Sequence, residues 1–286
     1  MTTQQHILAC VDGSAVTESV CDYAAWYAGR LNIPVAVLNV IDVPDTARRD
    51  LSKAIGAHSR RDLLFALTQM DEQRAEIAES YSKALIHDAK SYINSHSDVE
   101  VKTHQSRGKL LPAIELLKTQ NRALVMGRRG EDHKGSQINI GSQIETVARA
   151  SSTPILICSE SFKTPQSYMV AFDASKTAIK ATQKIARSEV LRGMQGHIVM
   201  VGHNNSNSKN ILAAAAAQLD AAGFKVAAHH LPEMDVVDGL LGFQADNNVD
   251  LIVIGAYGHA KWQRLFLGST TTKLIANTVS PIILVH

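Results

Sequence analysis

Directly after the apolar run LIVI (251–254) stand Gly255-Ala256-Tyr257-Gly258, nine further residues, and then Gly268-Ser269-Thr270-Thr271. An earlier stretch is built alike. ALVM (123–126) runs into Gly127-Arg128-Arg129-Gly130, and after ten residues comes Gly141-Ser142-Gln143. Glycine tolerates positive φ and lets main-chain N–H groups approach a ligand closely. A loop of such groups forms a concavity for anions. A helix opening at Gly268-Ser269 adds free N–H groups and the positive end of its dipole, both suited to phosphate. The hydroxyls of Ser269 and Thr271 add donors. One GxxG alone would mean a tight strand-to-helix turn and nothing more. Two long matches, each after a strand and before a helix, favour a phosphate site.

The two copies are not equal. The first has ten residues, not nine, between Gly130 and Gly141, and Gln143-Ile144 stands where the second supplies further hydroxyls. Arg128 and Arg129 could compensate by charge. The second site therefore ranks above the first, which is either degenerate or takes another ligand.

Other phosphate chemistries lack their residues. There is no GxxxxGK[ST], so no phosphate lysine, and no GxGxxG follows the first strand. The signatures of ATP pyrophosphatases (SGGxDS) and nucleotidyl transferases (HxGH) are absent. No GxSxG elbow frames Ser14 or Ser175, which are read as helix caps. His229 and His230 are adjacent on a predicted strand and so point to opposite faces, which makes them poor co-ligands for a metal. No catalytic residue is assigned, and slow ATP hydrolysis stays open.

The elements that must hold these loops come in two rounds. HILACVD (6–12) ends at Asp12, and a helix follows over 15–31. PVAVLNVI (34–41) is a strand with a buried pattern. A helix carrying Ile77, Tyr81, Ala84, Leu85 and Ile93 on its apolar side comes next, then strand 99–105, helix 110–120, strand 123–126, helix 141–150 and strand 154–158. The second round runs from SYMVAFD (167–173), ending at Asp173, through helix 176–192, strand 197–202, helix 211–223, strand 225–231, helix 234–247, strand 251–254 and a helix from Gly268 to strand 281–285. STPILIC matches VSPIILV at the two ends. This is an internal duplication of an α/β unit, with a doubly wound parallel sheet in each copy. The expected domains are 1–160, with an insert at about 42–75 read as a solvated helical excursion, and 161–286. Ligands bind such sheets outside the carboxyl ends of the strands, which brings Asp12 towards Gly127 and Asp173 towards Gly255.

The 286 residues carry a net charge of +2, too mild for a nucleic-acid face. No apolar run nears the roughly 20 residues that span a bilayer. Cys10, Cys21 and Cys158 have no metal-like or CxxC spacing and read as small apolar residues. With no leader pattern visible, the expectation is a reduced, cytoplasmic protein.

Gly255-Ala-Tyr-Gly258, nine residues and Gly268-Ser269 resemble the G-x2-G-x9-G-[ST] signature of universal stress proteins, and Asp12 in CVDGS and Asp173 in AFDAS are similar to that family's first-strand aspartate. The resemblance covers both halves. It implies two five-stranded sheets ordered 3-2-1-4-5, a flavodoxin-like or adenine-nucleotide-hydrolase-like fold. It also implies a stress-response or regulatory role with ATP, alone or with Mg²⁺, as the ligand. The aspartates would sit at adenine and ribose, Val40 and Val201 would border the adenine, and Arg129 and Tyr257 would lie beside the phosphates. Family members often dimerise through the edge of the last strand. Here STPILIC and VSPIILV are expected to pair within one chain as a pseudo-dimer, and a further homodimer stays compatible with the sequence. A module that binds no nucleotide and works through protein contacts is the alternative.

Overall fold

The computed structural model describes residues 5–42, 57–128, 142–202, 206–232, 234–255 and 269–285. The first round of elements is β1 (His6–Cys10), α1 (Thr17–Leu31), β2 (Val35–Ile41), α2 (Ala57–His96), β3 (Val101–Arg107), α3 (Leu110–Leu116), β4 (Asn121–Gly127), α4 (Ser142–Ala150) and β5 (Ile155–Cys158). The second is β6 (Ser167–Ala171), α5 (Lys176–Ala186), β7 (Gln195–Val201), α6 (Ser206–Ala221), β8 (Val226–Leu231), α7 (Val236–Asp246), β9 (Leu251–Gly255), α8 (Ser269–Asn277) and β10 (Ile282–Val285).

Each set of five strands is parallel and ordered 3-2-1-4-5, as the family resemblance implies. The two sets merge into one ten-stranded sheet, β3-β2-β1-β4-β5-β10-β9-β6-β7-β8. The joint is the antiparallel pair of β5 and β10, with Ile157 opposite Ile282, Leu156 opposite Ile283 and Ile155 opposite Leu284. All six side chains are buried, so two apolar strands that would otherwise be open edges protect each other. The outer edges are β3 and β8, whose residues are largely half-buried or exposed. Because β5 and β10 run in opposite directions, the carboxyl ends of the two strand sets point to opposite margins of the sheet.

Helices cover both faces. α1, α2, α5 and α6 bury their apolar sides on one face, in a cluster that runs continuously through both halves. α3, α4, α7 and α8 cover the other. α1 shows how the pattern works: Val20, Tyr23, Ala24 and Tyr27 are buried at helical spacing, and Asn32 closes the helix at φ 52° with its N–H on the carbonyls of Ala28 and Gly29. This is a left-handed cap that asparagine tolerates better than most residues.

Three local expectations are corrected. The face that α2 buries is Ser82, Ile86, Ala89 and Ile93, while Ile77, Tyr81 and Ala84 are exposed. The small Ser82 and Ala89 let the helix approach the sheet, which the count of large apolar residues concealed. α5 stops at Ala186 rather than 192: the N–H groups of Arg187 and Ser188 turn onto the carbonyls of Lys184 and Ile185, and Arg30 of α1 donates to the carbonyls of Glu189, Val190 and Arg192 in the segment beyond. Ser175 does cap α5, accepting from the Ala178 N–H at 3.1 Å. Ser14 caps nothing with its side chain: α1 starts after Val16, with no side-chain cap. The insert contributes the front of α2, and residues 43–56 within it lie outside the described residues.

Candidate functional site

A crevice of about 730 Å³ opens at the carboxyl ends of the first five strands. Asp12 comes from the end of β1, Val40 from β2 and Gly127 from the end of β4, and all three line it. They are distant in sequence and meet because β1 pairs with β2 on one side and β4 on the other. The volume lies within the range of about 300–1,000 Å³ usual for small-molecule sites.

The turn that presents Asp12 is specific. Gly13 has φ 81°, and the Ser14 N–H donates to Asp12 Oδ1 at 3.0 Å. The carboxylate is thereby oriented while its residue stays exposed. The second half repeats the turn: Ala174 has φ 59°, and the Ser175 N–H donates to Asp173 Oδ1 at 2.9 Å. A Cβ at position 13 would stand 2.2 Å from the Tyr81 hydroxyl oxygen, so α2 reaches over the first turn. Ala78 and Tyr81 accordingly belong to the crevice wall.

In the second half, Val201 ends β7 and Gly255 ends β9, on either side of β6 and Asp173. A Cβ at Gly255 would lie 3.0 Å from the carbonyl carbon and oxygen of Thr177 and 3.1 Å from Ala178 N. Gly255 is thus required for β9 to pass the first turn of α5, the turn that begins beside Asp173. Val201 packs from the other side, with its Cγ1 3.2 Å from where a Cβ at Gly239 would be.

Ser142 and Ser269 are the first residues of α4 and α8. Thr270 is exposed and Thr271 half-buried in the opening turn of α8. Arg129, Gly130 and Gly141 of the first loop, and Tyr257, Gly258 and Gly268 of the second, lie outside the described residues. Arg128 is described, and its guanidinium is engaged across the joint between the halves. Its Nη2 donates to the Ser280 carbonyl at 2.9 Å, and Nη1 donates to that of Thr278.

Several wall residues went unread in the sequence. Asn39 is buried, and its Nδ2 donates to the Val11 carbonyl at 2.7 Å, tying the ends of β1 and β2 together beneath the crevice. An amide inside the apolar run VAVLNVI was the available signal. Gly108 and Lys109, at the junction of β3 and α3, complete the far rim; only the strand order reveals them.

The cysteines are free thiols. Burial pushes Cys10 up to about 12, with the Asp12 charge adding to it. Burial likewise raises Cys21 to about 12 and Cys158 well above the usual thiol value. A thiol so hard to ionise is a poor nucleophile. Among the described residues no three His, Cys, Asp or Glu side chains group to hold a metal ion. None of the described helices is long and apolar enough to cross a membrane.

Comparison with known proteins bears on this arrangement. A model of the universal stress protein family matches residues 4–159 and again 202–286. The chain is similar to Universal stress protein Slr1230 of Synechocystis sp., at 30% identity over 284 residues, covering 98% of this chain and 99% of that protein. It resembles the crystal structure of a universal stress protein from Archaeoglobus fulgidus, with TM-score 0.68 and 20% identity over 98% of this chain and 95% of that one. A putative universal stress protein from Pseudomonas aeruginosa superposes with TM-score 0.59 and 15% identity, over 99% of this chain and 94% of that one.

Proposed function

The chain belongs to the universal stress protein family, and on that premise we propose that it is an ATP-binding regulatory protein holding nucleotide at the carboxyl ends of its strands, in the second half before the first. One observation supports the reading above others: Asp12 and Gly127, singled out by their strand ends, and Val40, singled out by the family resemblance, line a single crevice. The Ser14 N–H on Asp12 leaves a carboxylate aimed for ribose or base hydrogen bonds. Asp173 is oriented in the same way by Ser175.

The phosphates would lie on the main-chain N–H groups that follow Gly127 and Gly255 and on the N-terminal turns of α4 and α8, where Ser142 and Ser269 begin each helix. On this reading Arg129, Gly130 and Gly141 serve the first site, and Tyr257, Gly258, Gly268, Thr270 and Thr271 the second. Mg²⁺ usually takes one or two carboxylates plus substrate phosphates. With no multi-ligand cluster among the described residues, it would come with the nucleotide. The two domains divide between residues 160 and 161, and the protein works in the cytoplasm as a single-chain pseudo-dimer.

The test is mass spectrometry of ligand released from the purified protein, with ATP titration of Gly258→Val and Gly130→Val. ATP at one equivalent per chain, lost only in Gly258→Val, bears the ranking out. No binding at millimolar ATP overturns it in favour of a module that acts through protein contacts.

A further inference from the structure

A second cavity, of about 330 Å³, lies away from both nucleotide positions, where the two halves meet on the face covered by α1 and α5. Its apolar wall includes Tyr27 of α1, Val253 of β9, and Ile283 and Val285 of β10, all buried. Its rim carries three cations from both halves: Arg122 at the start of β4, and Lys184 and Arg187 at the end of α5. The hydroxyls of Ser152, Thr153 and Ser188 stand among them, and among the described residues no carboxylate side chain lines the cavity. An apolar floor under a ring of positive charge is the inverse of what folding alone would select, since like charges held together repel. Lys184 records that cost. Burial, then the charges of Lys180 and Arg122, hold its ammonium below the usual lysine value.

We propose that this cavity is a binding site for a small amphipathic anion, with a carboxylate or phosphate head held by Arg122, Lys184 and Arg187 and an apolar body laid on Val253, Ile283 and Tyr27. At about 30 Å³ for each water-sized atom group, the space takes about ten non-hydrogen atoms, the size of a medium-chain acid. Charge-assisted bonds to the head would hold it more strongly than neutral ones, and the apolar body adds burial. Both halves supply the site, and Arg30 fixes its outer wall by holding the carbonyls of Glu189, Val190 and Arg192.

The experiment is titration calorimetry of the full chain with octanoate, hexyl phosphate and octan-1-ol, each with and without saturating ATP. Octanoate or hexyl phosphate is expected to bind at one equivalent, and to do so regardless of ATP. Octan-1-ol should bind at least about tenfold more weakly. Whichever of the two anions binds tighter identifies the head group. Arg122→Gln/Lys184→Gln, which changes two exposed side chains, should weaken the anion about tenfold without lowering the melting temperature and with octan-1-ol affinity unchanged. Equal affinity for octanoate and octan-1-ol, no binding at millimolar octanoate, or an unchanged affinity in the double variant would each overturn the proposal. Displacement by ATP would place the anion in a nucleotide crevice and overturn it as well.

Discussion

Arg128 Nη2 donates to the main-chain carbonyl of Ser280 at 2.9 Å, across the joint between β5 and β10. The same guanidinium reaches the Thr278 carbonyl. Arg128 directly follows Gly127, so the residue that leaves the first crevice is tied to the loop that feeds the last strand of the second half. The side chain acts in cohesion between the halves. Arg128→Ala leaves two carbonyls without this partner, and a charged hydrogen bond of this kind contributes about 1.5–3 kcal/mol. The expected outcome is a melting temperature lowered by several degrees, with ATP affinity unchanged. A calorimetric scan and an ATP titration of the same preparation check both, and a selective loss of ATP binding would return Arg128 to the phosphates.

The junction segment is held by one carboxylate. Asp250, just before β9, accepts the N–H groups of Gln166 at 2.9 Å and Ser167 at 3.2 Å, and Lys163 pairs with it. Burial alone would raise its pKa, but Lys163 and the Gln166 N–H outweigh that and hold it below the usual carboxylate value. The unfolded chain therefore binds this proton at higher pH than the native one. Stability from Asp250 is present above the unfolded value of about 3.9 and is lost as pH falls through the native one. Asp250→Asn should cost about 1–3 kcal/mol at pH 7 and less at pH 3. Urea melts at the two pH values measure the difference; an equal cost at both would refute it.

His197 Nδ1 and His229 Nε2 lie 3.1 Å apart on β7 and β8, and Phe243 of α7 packs against both rings, with centroids at 5.4 and 4.7 Å. One proton can bridge the rings only while one of them is neutral. Burial lowers both pKa values, and the charge of His229 lowers that of His197 further. The unfolded chain takes up protons first on acidification. Stability from this pair is whole above about pH 6.5 and declines as pH falls below it. His6 and His104, also pushed down mainly by burial, add to the same slope. His229→Gln should flatten, without abolishing, the fall in melting temperature between pH 7 and pH 5. A slope identical to that of the parent protein would exclude the pair as its source.

The parts legible in the sequence are those set by local periodicity and by the repeat. The alternation of strands and helices and the convergence of Asp12 with Gly127 follow from apolar runs, turn residues and the duplication, whereas the strand order and the pairing of the two last strands follow from the family resemblance. What stayed hidden depends on partners remote in the chain. Arg30 ties the segment after α5 to α1 with hydrogen bonds 159–162 residues away. The buried face of α2 is chosen by small residues that permit close approach, while the large, exposed Tyr81 marks the wrong side. Gly255 stands in a pattern that points to a ligand, yet its first requirement is the Thr177 backbone 3.0 Å away. Local pattern carries the sign of burial, but it does not carry the distance between elements.

The two copies of the aspartate turn make the same demand on one position and fill it with different residues. Both need a left-handed residue after the aspartate, Gly13 at φ 81° and Ala174 at φ 59°. A residue with a Cβ is disfavoured there by about 1–2 kcal/mol, whereas glycine costs about 0.5–1 kcal/mol in unfolded-state entropy. The strain outweighs the entropy, so Ala174→Gly should stabilise the protein by about 0.5–1 kcal/mol. Gly13→Ala should destabilise it by about 0.5–1 kcal/mol from φ alone, plus whatever it costs to turn the exposed Tyr81 side chain away, since the new Cβ would stand 2.2 Å from its hydroxyl. Gly13→Ala in a Tyr81→Ala background separates the two causes: the contact is relieved and the φ strain remains. Denaturant melts of these variants and of Tyr81→Ala alone decide it, and a stabilising Gly13→Ala would show that the turn does not hold its left-handed geometry in solution.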